Sequence, residues 1–149
     1  MDRFVIQGGS RLTGEVEISG AKTAALPIMA ASLLAAGPSR IRGVPDLADI
    51  RHMSTLLGEL GAEVRREGDA LAIEVRDESD SHARYDLVRK MRASVCVLGP
   101  LVARRRAGRV AMPGGCAIGS RPIDLHLRGL RALGAKIELS GGDVVASGE

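Results

Sequence analysis

The sequence predicts an α/β chain assembled from two copies of one unit: helix, strand, helix, hairpin. Two observations carry this. Leu57-Gly58-Glu59-Leu60-Gly61-Ala62 lines up with Leu130-Arg131-Ala132-Leu133-Gly134-Ala135 at an offset of 73 residues, and Arg40-Ile41 lines up with Arg109-Val110 at an offset of 69. Apolar residues also change from helical spacing to strand alternation in the same order in both halves. Repeats of this kind are stacked units that share a core. The difference between the two offsets places an insertion in the second copy, around Gly114–Ser120. A glycine-rich loop that the repeat does not need for folding is a functional suspect.

Each element has its own signal. Arg3–Gln7 and Glu15–Ser19 read as short strands around a turn at Gly8–Ser10. Lys22–Ala36 reads as a helix rich in Ala and Leu, closed by Gly37-Pro38; it either starts nearer Ala24 or kinks at Pro27. Ser39–Val44 is a strand ended by Pro45. Asp46 is expected to cap a second helix, Leu47–Leu60, where Ile50, Met53, Leu56, Leu57 and Leu60 recur at helical spacing until Gly61 stops it. Ala62–Arg66 and Ala70–Val75 form a hairpin, and Arg76–Arg84 is a polar surface connection. A long helix is expected from about Asp86 to Ala103, then a strand at Gly108–Met112 and the loop Pro113–Ser120. Pro122 suits the first position of another helix, with Ile123, Leu127 and Leu130 turned inward and Gly134 at its end. Lys136–Leu139 and Val144–Ala146 make the last hairpin.

Composition narrows the function. The 149 residues are 45% hydrophobic and 26% charged, which excludes wholesale disorder. The longest apolar run, Ala24–Ala36, holds Pro27 and Ser32 and is too short to cross a bilayer. The N-terminus, with Asp2 and Arg3, lacks an apolar signal segment, so a cytoplasmic protein with no membrane partner is expected. A net charge of +3 permits anionic ligands. One Tyr, one Phe and no Trp leave no stacking platform, so no nucleic-acid partner is expected. Cys96 and Cys116 are too few for a disulfide framework and are not at a metal spacing; no metal and no cofactor is expected.

Five positions carry the chemistry. Cys116 lies in Pro113-Gly-Gly-Cys-Ala-Ile-Gly-Ser-Arg-Pro122, where glycines free the backbone to approach a ligand. Arg121 stands just before a helix N-terminus, and cation and dipole together lower a thiol pKa and attract an anion. The plainer alternative is a small hydrophobe in a turn; Cys96, among Val95, Val97 and Leu98, reads simply as core. Ser19-Gly20-Ala21-Lys22-Thr23 departs from a phosphate loop because Ala21 separates glycine from lysine, yet Lys22 still sits at a strand-to-helix junction that suits anions. Arg92 corresponds to Thr23 at the repeat offset, and is otherwise a snorkelling side chain. Asp124 is either a ligand-hydroxyl acceptor or a complement to its helix dipole. His52, His82 and His126 have no paired acid or thiol at useful spacing.

Five stretches resemble the UDP-N-acetylglucosamine enolpyruvyl transferases: Ser19–Pro27, Gly43–Asp49, Tyr85–Ser94, Leu98–Arg104 and, most specifically, Pro113–Leu127, followed by Leu133–Ala135. The resemblance runs through essentially the whole chain. It implies transfer of an enolpyruvyl group from phosphoenolpyruvate to the 3-hydroxyl of UDP-N-acetylglucosamine with release of phosphate, the committing step of peptidoglycan synthesis. By position it makes Cys116 the loop proton donor, adduct-forming thiol and fosfomycin target. It makes Lys22 and Arg121 ligands of phosphoenolpyruvate, with Thr23 beside them, and Arg92 a sugar-nucleotide contact. Arg121, Pro122, Ile123, Asp124 and Leu125 would line the UDP-sugar site.

The resemblance also implies an architecture: an inside-out α/β barrel of repeated βαβαββ units, in two domains of three repeats with the active site between them. Residues 22–149 would be two repeats of the first domain, about 22–76 and 85–149, and residues 1–21 strands that pack into the second. The missing C-terminal part of the same chain would be a partner, and the fragment alone is expected to turn over little or nothing. Thr23 departs from the family's usual Asn, since a hydroxyl replaces only part of an amide's hydrogen bonding. Two other readings remain at this point: a non-catalytic sugar-nucleotide binding module, and a shikimate-type enolpyruvyl transferase, which lacks the loop cysteine.

Overall fold

A computed structural model describes residues 3–112 and 122–148. The first unit opens with α1, Lys22–Ala31, which runs into a 3-10 turn at Ser32–Leu34. Its buried side chains, Ala25, Leu26, Met29, Ala30 and Leu33, recur at helical spacing and form one apolar stripe. The helix starts at Lys22, not Ala24, and carries Pro27 within it. Strand β1, Ser39–Ile41, leads to α2, Ala48–Glu59, which buries Ile50, Met53, Leu56 and Leu57 against α1. Full burial of such a side chain contributes roughly 1.5–3 kcal/mol. The hairpin β2, Ala62–Glu67, and β3, Ala70–Val75, completes the unit, and the antiparallel sheet has the order β1-β3-β2.

The second unit repeats this plan. Strand β4 is His82–Ala83 and helix α3 is Tyr85–Val88; a 3-10 stretch at Arg92–Val97 then joins α4, Leu98–Arg105. Strand β5, Ala107–Ala111, is followed by α5, Asp124–Ala132, and by the hairpin β6, Lys136–Ser140, and β7, Asp143–Ser147. The sheet order is β4-β5-β7-β6, with β4 parallel to β5 and the other pairs antiparallel.

The repeat is visible in the hydrogen-bond register. Arg40 pairs with Ala72 in the first sheet, and Arg109 with Val145 in the second. Glu63 pairs with Glu74, and Lys136 with Ser147. The first comparison shows both sequence offsets and the second the larger one on both strands, so the extra residues of the second copy fall between β5 and α5, residues 112–123. One hydrophobic cluster spans both units, from Ala25 to Ala146. Arg105 ties them: its guanidinium donates to the carbonyl of Leu60, at 2.7 Å, and to that of Asp80. Burial lowers the Arg105 pKa, while Glu78, Asp77 and Asp80 oppose the shift. The result is mixed helix and sheet; among the described residues neither sheet closes into a barrel.

Five expectations are corrected. Residues 3–21 contain no strand, and Phe4, Val5, Ile6, Leu12, Val16 and Ile18 are exposed, because a strand needs a partner to satisfy its backbone. The long helix of 86–103 is broken: Met91 is extended, at φ −150 and ψ 122, and the chain restarts at Arg92. Pro100, the third residue of α4, loses no intrahelical bond there. Asp46 does not cap α2; it pairs with Arg51, and the cap position is Leu47. Pro122 precedes α5 rather than opening it. The polar connection 76–84 contributes β4, held beside β5.

Candidate functional site

Lys22 is the first residue of α1, behind an extended Ala21 at φ −84 and ψ 129. The amides of Ala24 and Ala25 both donate to the Ala21 carbonyl, which starts the helix at that point. The first N–H groups of any helix lack intrahelical acceptors, so this end favours an anion. No side chain caps it. The segment before it lies hard against the turn at Gly43: a Cβ on Gly20 would stand 1.8 Å from the Gly43 carbonyl oxygen. Gly43, at φ +66, donates its N–H to Asp69 Oδ2, and Val44 donates to the Asp69 carbonyl at 2.8 Å. Together these contacts fix where α1 begins. A cleft of about 410 Å³ runs between residues 17–20 and the 43–45 turn, with Asp69 in its wall.

The Lys22 ammonium reaches the first turn of α2, where its Nζ lies 2.7 Å from Asp49 Oδ2. The two side chains are 47% and 31% exposed, so the pair sits at a surface where two helix N-termini meet. Thr23, next along, is exposed. Arg92 opens the 3-10 stretch that packs on α1, is half-buried, and occupies the place in the second unit that Thr23 holds in the first.

The stretch 92–97 has a second neighbour. Val95 and Cys96 share an apolar groove of about 290 Å³ with Leu125, His126, Leu130 and Leu133 of the α5 region. Ile123 is buried, Pro122 and Asp124 are exposed, and Leu125 is 64% exposed. Asp124 stands in the first turn of α5, where its charge complements the helix dipole. Residues 92–97 thus pack on α1, the helix that Lys22 opens, and share a groove with α5. Cys116 and Arg121 lie outside the described residues.

Cys96 is packed against the core, and burial pushes its thiol pKa up. Alkylation at neutral pH is therefore expected to leave Cys96 largely unmodified in the folded chain while Cys116 reacts. Peptide mapping after a short iodoacetamide pulse checks this; faster labelling of Cys96 than of Cys116 contradicts it. Asp49 is the residue that sequence reading passed over. Its signal was an acid in the first turn of a helix, which ordinarily marks only the dipole. Among the described residues, no group of His, Cys, Asp and Glu could hold a metal ion, and no helix is long and apolar enough to cross a membrane.

Two α/β units share one hydrophobic cluster, and Lys22 opens the first helix of the first unit. Residues 6–148 match the family described as EPSP synthase (3-phosphoshikimate 1-carboxyvinyltransferase), and the chain belongs to that family. Its curated relatives include proteins named UDP-N-acetylglucosamine 1-carboxyvinyltransferase. That of Desulfatibacillum aliphaticivorans is 54% identical over 149 residues, 100% of this chain and 36% of the relative. Those of Anaeromyxobacter dehalogenans strain 2CP-1 and Maricaulis maris are 56% and 57% identical, over 99% and 98% of this chain and 36% and 35% of the relatives. The chain thus spans about a third of the length of the relatives it matches. Among solved structures, the enolpyruvyl transferase NikO from Streptomyces tendae aligns with a TM-score of 0.77 at 25% identity, covering 95% of this chain and 31% of that one.

Proposed function

We propose that this chain is one part of a UDP-N-acetylglucosamine 1-carboxyvinyltransferase, and that it supplies part of the site for both phosphoenolpyruvate and the nucleotide sugar. The observation that carries the reading is identity above one half across the whole chain to relatives of that name. The Lys22 geometry supports it. Phosphoenolpyruvate is a small, highly charged anion, and a lysine at an uncapped helix start is suited to its phosphate.

In this reading the sugar 3-hydroxyl gives its proton to a base in the remainder of the protein and adds to C2 of phosphoenolpyruvate while an acid protonates C3. Loss of phosphate and of one C3 proton then restores the vinyl group on the sugar. Cys116, which lies outside the described residues, is the acid. Lys22 and Arg121 hold the phosphate and carboxylate; Thr23 offers a hydroxyl beside them. Arg92 and residues Arg121–Leu125 hold the nucleotide sugar. Residues 22–149 form two repeats of the first domain, and residues 3–21, with their exposed apolar side chains, pack against the remainder of the protein. The reaction places the enzyme in the cytoplasm, at the start of peptidoglycan synthesis.

The test uses a chimera in which this chain replaces the matched stretch of the Desulfatibacillum aliphaticivorans relative. The chimera is expected to release phosphate from phosphoenolpyruvate only when UDP-N-acetylglucosamine is present, and residues 1–149 alone are expected not to. Turnover with shikimate 3-phosphate instead would replace the proposed acceptor. Sugar-nucleotide binding without turnover would make the chain a binding module.

A further inference from the structure

We propose that Asp49 is a positioning residue for Lys22, holding its ammonium at the start of α1 in the pose that receives a phosphate group. The inference rests on the transferase reading above and goes beyond it by assigning a role to an acid that does not itself bind the anion. Three observations carry it. The Lys22 Nζ to Asp49 Oδ2 distance is 2.7 Å, a charge-assisted hydrogen bond in length. Asp49 lies in the first turn of α2, where the dipole favours its negative charge, and α2 is packed on α1, so the acceptor is fixed relative to the helix that carries the lysine. Asp46, which precedes the cap residue Leu47, is instead paired with Arg51.

The geometry suits a holding role. A lysine ammonium has three N–H donors, and one carboxylate oxygen at this distance takes one of them. Two remain for a ligand, and the lysine side chain is 47% exposed. A free lysine at this edge would sample many rotamers and lose that freedom on binding, at a cost of up to about 2 kcal/mol.

The experiment uses the chimera, with Asp49→Asn and Asp49→Glu, reading both Michaelis constants, kcat and the thermal midpoint. Asp49→Asn is expected to raise KM for phosphoenolpyruvate about tenfold, to leave KM for UDP-N-acetylglucosamine within about twofold, and to move the midpoint little, because exposed ion pairs contribute about 1 kcal/mol or less. Asp49→Glu is expected to recover most of the loss. An unchanged KM for phosphoenolpyruvate in Asp49→Asn overturns the proposal. So does a loss that falls equally on both substrates, follows the midpoint and is not recovered by Glu, since that is a helix-start effect. A parent chimera without turnover overturns the transferase reading itself, which separates the two failures.

Discussion

Replacing Lys22 with Ala in the chimera is expected to lower kcat/KM for phosphoenolpyruvate about 10²–10³-fold, the cost of removing one preorganised donor to charge at a reacting group. The lysine is the first residue of α1, and the helix does not depend on its side chain: the amides of Ala24 and Ala25 turn back on Ala21, and the buried stripe begins at Ala25. Among the described residues, the ion pair lost is the partly exposed one with Asp49. The thermal midpoint should therefore stay within about 2–4 °C of the parent. A midpoint drop that accounts for the lost activity would make Lys22 structural; unchanged kcat/KM would remove it from the site.

Gly61→Ala is expected to destabilise the folded chain by about 3–5 kcal/mol, against about 1 kcal/mol for Gly134→Ala. The two glycines occupy the same place in the two repeats, each ending a helix at positive φ, +83 and +97. A side chain at either position pays for the left-handed backbone. Only Gly61 faces a second cost, since its Cβ would stand 1.9 Å from the Asp77 carbonyl oxygen. That oxygen is not free to move: the amides of Arg76 and Asp77 donate to the Gly61 carbonyl at 2.9 and 3.1 Å, and the Asp77 carboxylate accepts from Ser79. Around Gly134 nothing stands within 4 Å of the added atom. Urea unfolding of the two variants measures the difference, and equal losses would show that backbone conformation alone sets the cost.

Much of the fold was legible because it is local. The apolar spacing of α2, the turn at Gly68 and the stops at Gly61 and Gly134 depend on neighbouring residues, and each stands where the sequence put it. The repeat was legible for the same reason, and its two offsets reappear in the strand register. The helix expected across 86–103 failed because apolar spacing at Val88, Met91 and Val95 fits either one helix or two short ones, the first packed on α2 and the second on α1. Asp46 was misassigned because its competitor for the carboxylate, Arg51, lies one helical turn further on. Strand β4 has two residues and no pattern of its own; it exists because β5 offers an edge.

Of the proposed site, the residues themselves singled out Lys22 as a helix start and Arg92 as the repeat counterpart of Thr23, while the substrate roles came from the resemblance. Asp49 could not be singled out in this way. Its meaning lies in a 2.7 Å approach between two helices whose first residues are far apart in sequence, and no local pattern encodes that distance. The sequence by itself determined the repeat, the turn glycines and the chemistry available at each position, because these follow from side-chain type and short-range spacing. Tertiary structure alone decided which helix starts meet and which acid faces the lysine. Where each broken helix restarts was decided there as well, because packing against a distant partner outweighs the small energies of local preference.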